Sequence, residues 1–246
     1  MTYRTMHQTD SMPNGSNNRL LLNGCSFTQI WQPTEQFVSE LGCDETINIA
    51  IGASSFQRTC RSTIEWIAQN GNPHCVVIPI TYTHRWELAV GQEDHIIDGT
   101  WFPLQRKELL TNNPNRKLDP TVDKDKLGDL MDLYYGCNPT IRTYWDKTFN
   151  EIIMLSAFLE NRKIKYIMFD MCNDFKQEHI NGFKGFKKLD LIKNNDNIID
   201  LFSFCGNKHM WQSMEHKTQE FNLHHESKQY LELESYITAW HRNLHS

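Results

Sequence analysis

The sequence predicts an α/β protein of three layers, α/β/α, with a five-stranded parallel sheet between helices and two insertions. Three observations predict it. Short apolar runs alternate with segments of helical periodicity through five cycles, as a parallel sheet with right-handed crossovers requires. The run His74–Ile80 is nearly unbroken in its apolar character, which suits a strand buried on both faces. Hydrophobic residues make up 39% of the 246, with seven Trp and thirteen Phe, enough for one sizeable core.

The elements follow in order. Residues 1–18 are rich in Thr, Ser, Asn and Gln, carry Pro13 and Gly15, and read as a flexible leader to a single domain over 19–246. Arg19–Asn23 is the first strand, and Pro33–Leu41 a short helix with Phe37, Val38 and Leu41 on one side. Thr46–Ala50 is the second strand. Ser54–Asn70 is a helix whose Phe56, Cys60, Ile64 and Ile67 recur at helical spacing, stopped by Gly71 and Pro73. His74–Ile80 is the third strand.

The alternation then lapses. From His84 to about Cys137 the chain is polar and broken by Gly91, Gly99, Pro103, Pro114 and Pro120, so about 84–137 reads as an insertion. Its aromatic stretch Trp86–Phe102 is either a small core of its own or the lining of a substrate pocket. Thr140–Arg162 resumes as a helix with Ile141, Trp145, Phe149, Ile152, Ser156 and Leu159 on one stripe. Lys165–Asp170 is the fourth strand, about 171–196 a second polar insertion, and Ile198–Phe202 the fifth strand. The last helix, Glu226–Leu244, spaces Tyr230, Leu233, Ile237, Trp240 and Leu244 by steps of three and four.

Composition excludes several classes of function. Net charge is −5, and the one basic cluster, Lys184, Lys187 and Lys188 beside Phe183 and Phe186, reads as a solvated loop. Nucleic acid is therefore disfavoured as a partner. The seven cysteines (25, 43, 60, 75, 137, 172 and 205) include no Cys-x-x-Cys pair, and several sit in apolar runs, as small core residues do. That usage suits a reducing compartment. With no apolar signal segment in the first twenty residues and no membrane-spanning run, the protein reads as cytoplasmic, with no membrane partner.

Ligands of open α/β sheets bind beyond the carboxyl ends of the strands. There the sequence places Gly24 and Ser26 after strand one, and Gly52 and Ser54 after strand two. Thr81, Thr83, His84 and Arg85 follow strand three, Asp170 and Asn173 strand four, and Asp200 strand five. Asn222-Leu223-His224-His225 precedes the last helix. A serine and a histidine thus share one sheet edge, the pairing that activates a hydroxyl nucleophile.

In these residues the chain resembles the SGNH or GDSL hydrolases, serine esterases and acyl hydrolases on a flavodoxin-like sheet. Gly24-Cys25-Ser26-Phe27-Thr28 resembles the family's first block, with Cys25 in place of the usual Asp. Such variants resemble those of bacterial and phage members. Asn48-Ile49-Ala50-Ile51-Gly52-Ala53-Ser54 resembles the second block, whose glycine donates its amide to the oxyanion. Asn222-Leu223-His224-His225 lies where the family carries Asp-x-x-His. The resemblance implies Ser26 as nucleophile, His225 as base, with His224 its rival, and Asn222 as the residue orienting it. Gly52 becomes an oxyanion donor, the substrate a small or carbohydrate ester, and no cofactor is needed.

The chain departs from the family in two places. The third block supplies an Asn to the oxyanion hole, and here the segment reads Ile80-Thr81-Tyr82-Thr83-His84-Arg85, so Thr81, Thr83 or Arg85 would assist instead. Asn222 stands for the triad Asp, leaving Asp170, Asp200, Glu220 or Glu226 to compensate. Three readings follow: a serine ester hydrolase, a related fold that binds a ligand or protein without catalysis, and a metal-dependent hydrolase. The last would use His209, His216, His224 and His225, whose spacing fits no zinc framework. Ser26 as a plain helix cap and Cys25 as nucleophile are the remaining alternatives at that turn.

Overall fold

Four parallel strands build the sheet: β1 (Arg19–Leu22), β2 (Glu45–Asn48), β3 (Cys75–Ile80) and β6 (Lys165–Asp170), in the order β2-β1-β3-β6. The computed structural model describes residues 18–52, 54–83, 85–89, 101–104, 124–137, 141–170, 187–198 and 223–245. Residues 1–17 of the leader and the sites at Ala53, His84, Asn173, Asp200, His209, His216, Glu220 and Asn222 lie outside them.

Alternation along the strands assigns the two faces. Leu21, Val76, Ile78, Ile80, Tyr166 and Met168 point to one side, where they pack with α3 (Phe56–Asn70) and α5 (Ile141–Asn161). Leu20, Leu22, Cys75, Val77, Ile167 and Phe169 point to the other. There they meet Trp31, which follows α1 (Ser26–Ile30), Phe37 and Val38 of α2 (Glu35–Glu40), and α7 (Leu223–His245). Every residue of β3 is buried, because strands pair on both its edges and helices cover both its faces. The architecture is three-layered, as expected.

Pro79 sits within this central strand at little cost. Its pairing with Phe169 of β6 is kept, while β1 has already turned away, its register ending at Leu22 opposite Val77. No ladder bond is asked of the missing N–H on the β1 side. The fifth strand is represented by one parallel bridge from Met168 to Ile198, and residues 199–202 lie outside the described part.

Helix limits follow their caps. The second helix starts at Glu35 rather than Pro33, because Thr34 accepts the Phe37 N–H as N-cap. Likewise α3 starts at Phe56, with the Ser55 hydroxyl accepting from Arg58, and ends where Gly71 takes a positive φ of 81°. The buried stripe of α5 includes Trp145, Phe149, Ile152, Ser156 and Leu159, as its periodicity predicts.

The two polar insertions carry structure of their own. Within the first, β4 (Trp86–Ala89) and β5 (Trp101–Leu104) form an antiparallel pair, followed by α4 (Lys124–Gly136). Short strands separated by eleven residues carry too little periodicity to be read locally. The second insertion contains α6 (Lys187–Lys193), and Lys188 is no solvated loop residue; it pairs with Asp146 of α5 at 2.6 Å. No helix among the described residues is long and apolar enough to cross a membrane.

Candidate active site

The carboxyl edge of the sheet is built around Asn23, fully buried at the end of β1. Its Oδ1 accepts the Gly24 N–H at 2.9 Å. Its Nδ2 reaches α3, with Thr59 O at 3.0 Å and the hydroxyls of Ser62 and Thr63 at 2.9 Å. One carboxamide thus fastens the strand, the turn and the neighbouring helix together. Gly24 is required here by space, not by a left-handed backbone: a methyl group at that position would collide with the Thr28 hydroxyl and lie 3.6 Å from Pro79 Cδ. The chain therefore turns directly over Pro79.

Ser26 opens α1 and is exposed, whereas Cys25 before it is fully buried. Cys25 itself is the N-cap and makes no side-chain capping bond, so Ser26 is the first helical residue and not the cap. A buried Cys25 is a poor nucleophile for an external substrate.

Asn48, at the end of β2, draws the second loop against α1. Its Nδ2 donates to Thr28 O at 2.7 Å, and its Oδ1 accepts the Ala50 N–H at 3.1 Å. Gly52 is thereby brought beside Ser26: a methyl group built on Gly52 would lie 3.7 Å from Ser26 Cβ. The Gly52 N–H donates to Gln29 Oε1 at 2.9 Å. Ser26 and Gly52, 26 positions apart, are neighbours, and Gln29 joins them.

After β3, Thr81 is buried and its hydroxyl has no partner among the described residues, and Thr83 is also buried. Arg85 lies over the Tyr82 ring, 4.5 Å from its centroid, and its Nη1 donates to Ser54 O at 3.4 Å. Arg85 therefore touches the loop that carries Gly52. Asp170, buried at the end of β6, lies opposite Ile80 in the ladder and so on the same edge.

The last helix is docked on this edge by its polar residues as much as by its apolar stripe. Tyr230 donates to Phe27 O at 2.6 Å and stacks on Trp31 at 5.8 Å. Glu234, buried, accepts from Trp31 Nε1 at 3.0 Å, from Thr34 N at 3.1 Å and from the Thr34 hydroxyl at 2.5 Å. Arg242 pairs with Glu40 at 2.8 Å. These contacts run α7 along α2, with its amino end toward Phe27. His224 and His225 occupy its second and third positions, the latter about 7.5 Å along the axis from Tyr230 at 1.5 Å per residue.

Behind the site, charges are buried between α3, α5 and β4. Arg61 pairs with Glu87 at 3.2 Å and with Glu65 at 3.0 Å, and Lys147 with Glu151 at 3.5 Å. Lys147 Nζ also lies 4.1 Å from the Trp86 ring centroid and donates to Arg85 O at 3.5 Å. Burial pushes the Glu151 carboxyl up and the Lys147 ammonium down, each partly countered by its partner. Cys60, bonded to Glu151 O, is raised well above the usual thiol range by burial. Among the described residues, no three His, Cys, Asp or Glu side chains gather as a metal site.

Asn23, Asn48 and Gln29 were not singled out from the sequence. Gln29 alone left a local signal there, since it lies three residues after Ser26 and so on the same helix face.

No protein-family profile matches the chain, and no curated protein does. Among solved structures it is similar to a Bacteroides fragilis protein provisionally described as an acylhydrolase. The two share 14% identity over 78% of this chain and 71% of that one, with a TM-score of 0.39.

Proposed function

We propose that the protein is a serine ester hydrolase of SGNH or GDSL type, acting on a small ester or an acylated carbohydrate. One observation carries the reading: Ser26, exposed at the start of α1, lies beside Gly52 of the loop after β2. The docking of α7 supports it, because Tyr230, five residues after His225 on that helix, is bonded to Phe27 of α1.

In the proposed reaction His225 takes the Ser26 proton while Ser26 Oγ attacks the ester carbonyl. The N–H groups of Ser26 and Gly52 hold the oxyanion, and Asn222 orients the imidazole. His225 then returns the proton to the leaving alcohol, and water activated by the same histidine releases the acyl group. On the β3 side of this edge Arg85, which touches the loop carrying Gly52, contributes to substrate binding, whereas Thr81 and Thr83 are buried beneath it.

A second reading is favoured by a different observation. The Gly52 N–H is already bonded to Gln29, and neither the oxyanion Asn nor the triad Asp of the family is present. On that reading the edge binds a ligand without turning it over.

Turnover of short-chain nitrophenyl esters separates the two. Hydrolysis that is abolished in Ser26→Ala and falls at least a hundredfold in His225→Gln supports the hydrolase. Loss in His224→Gln instead would reassign the base. No turnover by a folded wild-type protein supports the binding reading.

A further inference from the structure

We propose that Gln29 is the side-chain oxyanion donor of this site, supplied from α1 rather than from the segment after β3. The proposal rests on the hydrolase reading and deepens it.

Gln29, Gly52 and Ser26 are gathered at one place. Gln29 Oε1 accepts the Gly52 N–H at 2.9 Å. A methyl group built on Gly52 would lie 3.1 Å from that oxygen and 3.7 Å from Ser26 Cβ. At rest the amide oxygen of Gln29 thus takes the Gly52 N–H, the donor that the oxyanion of the proposed reaction would use.

The same carboxamide carries two N–H donors on its other arm, and among the described residues no acceptor engages them. Gln29 is exposed, so its side chain is held here by the one bond to Gly52. Its terminal torsion is broad and nearly two-fold, so a half-turn exchanges oxygen for nitrogen at small cost. An arriving carbonyl takes over the Gly52 N–H one for one. Gln29 then withdraws by one hydrogen-bond length, and Nε2 donates to the oxygen as charge builds on it.

The β3 segment offers no comparable amide. Thr81 and Thr83 are buried hydroxyl residues, and the Arg85 guanidinium is engaged by Ser54 O and the Tyr82 ring. Placing Gln29 three residues after the nucleophile fixes donor and attacking atom on the same helical turn. Ile30 and Ile51, the chain neighbours of Gln29 and Gly52, are exposed apolar residues.

The test compares wild type, Gln29→Met and Gln29→Glu in nitrophenyl acetate turnover and in the rate of fluorophosphonate labelling. Gln29 is exposed, so both variants are expected to unfold at the wild-type midpoint. Gln29→Met keeps the length and removes the donor: kcat is expected to fall by about 10²–10³ with KM changed less than about threefold. Gln29→Glu is expected to fall at least as far, because a carboxylate repels the oxyanion. Labelling rates should fall in parallel, since the phosphonyl oxygen enters the same hole. Wild-type kcat, or a gain, in Gln29→Met with Ser26 still labelled would overturn the proposal alone and leave Gln29 as a cover over Gly52. A wild-type protein that neither turns over esters nor labels at Ser26 would overturn both the proposal and the hydrolase reading.

Discussion

Replacing Asn23 by Ala should cost the protein about 3 kcal/mol. The Gly24 N–H, whose partner among the described residues is Asn23 Oδ1 at 2.9 Å, would become a buried donor without a partner, a penalty of about 1–3 kcal/mol. The three acceptors around Nδ2 suffer less. The Thr63 hydroxyl still donates to Thr59 O at 2.7 Å and the Ser62 hydroxyl to Arg58 O at 2.8 Å, so the lost bonds add about 1 kcal/mol net. For a chain of this size each kcal/mol moves the midpoint by about 2–4 °C, so a fall of about 6–12 °C is expected. Urea unfolding followed by far-ultraviolet circular dichroism gives the free energy directly. Asn23→Asp should be at least as damaging, since its carboxylate faces three acceptors without a proton to offer. A loss below about 1 kcal/mol in Asn23→Ala would refute the reasoning, because it would mean the turn finds another partner for Gly24.

Gly24→Ala should destabilise through overpacking by about 1–3 kcal/mol, as its methyl group meets the Thr28 hydroxyl with Pro79 behind it; wild-type stability would contradict the close approach. Glu151 bears on pH dependence. Burial raises its folded-state pKa, so its contribution to stability is greatest below the unfolded value of about 4.5 and is lost as pH rises through the folded value. The stability difference, wild type minus Glu151→Gln, should therefore fall as pH rises above about 4.5, and a difference that does not fall with rising pH would contradict the buried position. Among the described cysteines, only Cys137 is exposed, while burial holds Cys43 up at about 11 and Cys75 at about 12. Iodoacetamide at pH 7.5 followed by peptide mass spectrometry should modify Cys137 well before Cys25, Cys43 and Cys75; early modification of Cys75 would contradict the packing of β3.

What could be read from the sequence was what repeats along it. The apolar run of β3, the alternation of faces in β1 and β6, and the stripes of α3, α5 and α7 are local periodicities, and each reappears in the packing. Ser26 and Gly52 were legible because a glycine ending an apolar run marks the carboxyl edge. The polar residues that assemble this edge were not. Asn23 finds its partners some 40 residues away, and Glu234 some 200 away, so neither leaves a periodic trace. On sequence alone Glu234 is a solvated helix residue; in the fold it anchors α7 to Trp31 and Thr34. The pairing of β4 with β5 was hidden for another reason: Glu87 of β4 is buried yet charged, and it is satisfied by Arg61 of α3.

The central claim is that Ser26 is a nucleophile set beside the Gly52 oxyanion site. A fluorophosphonate probe with peptide mass spectrometry tests it most directly. The expected result is one phosphonyl adduct on the peptide carrying Ser26, absent in Ser26→Ala and slowed in His225→Gln. An unlabelled folded protein, or an adduct on another residue with Ser26 unmodified, would contradict it.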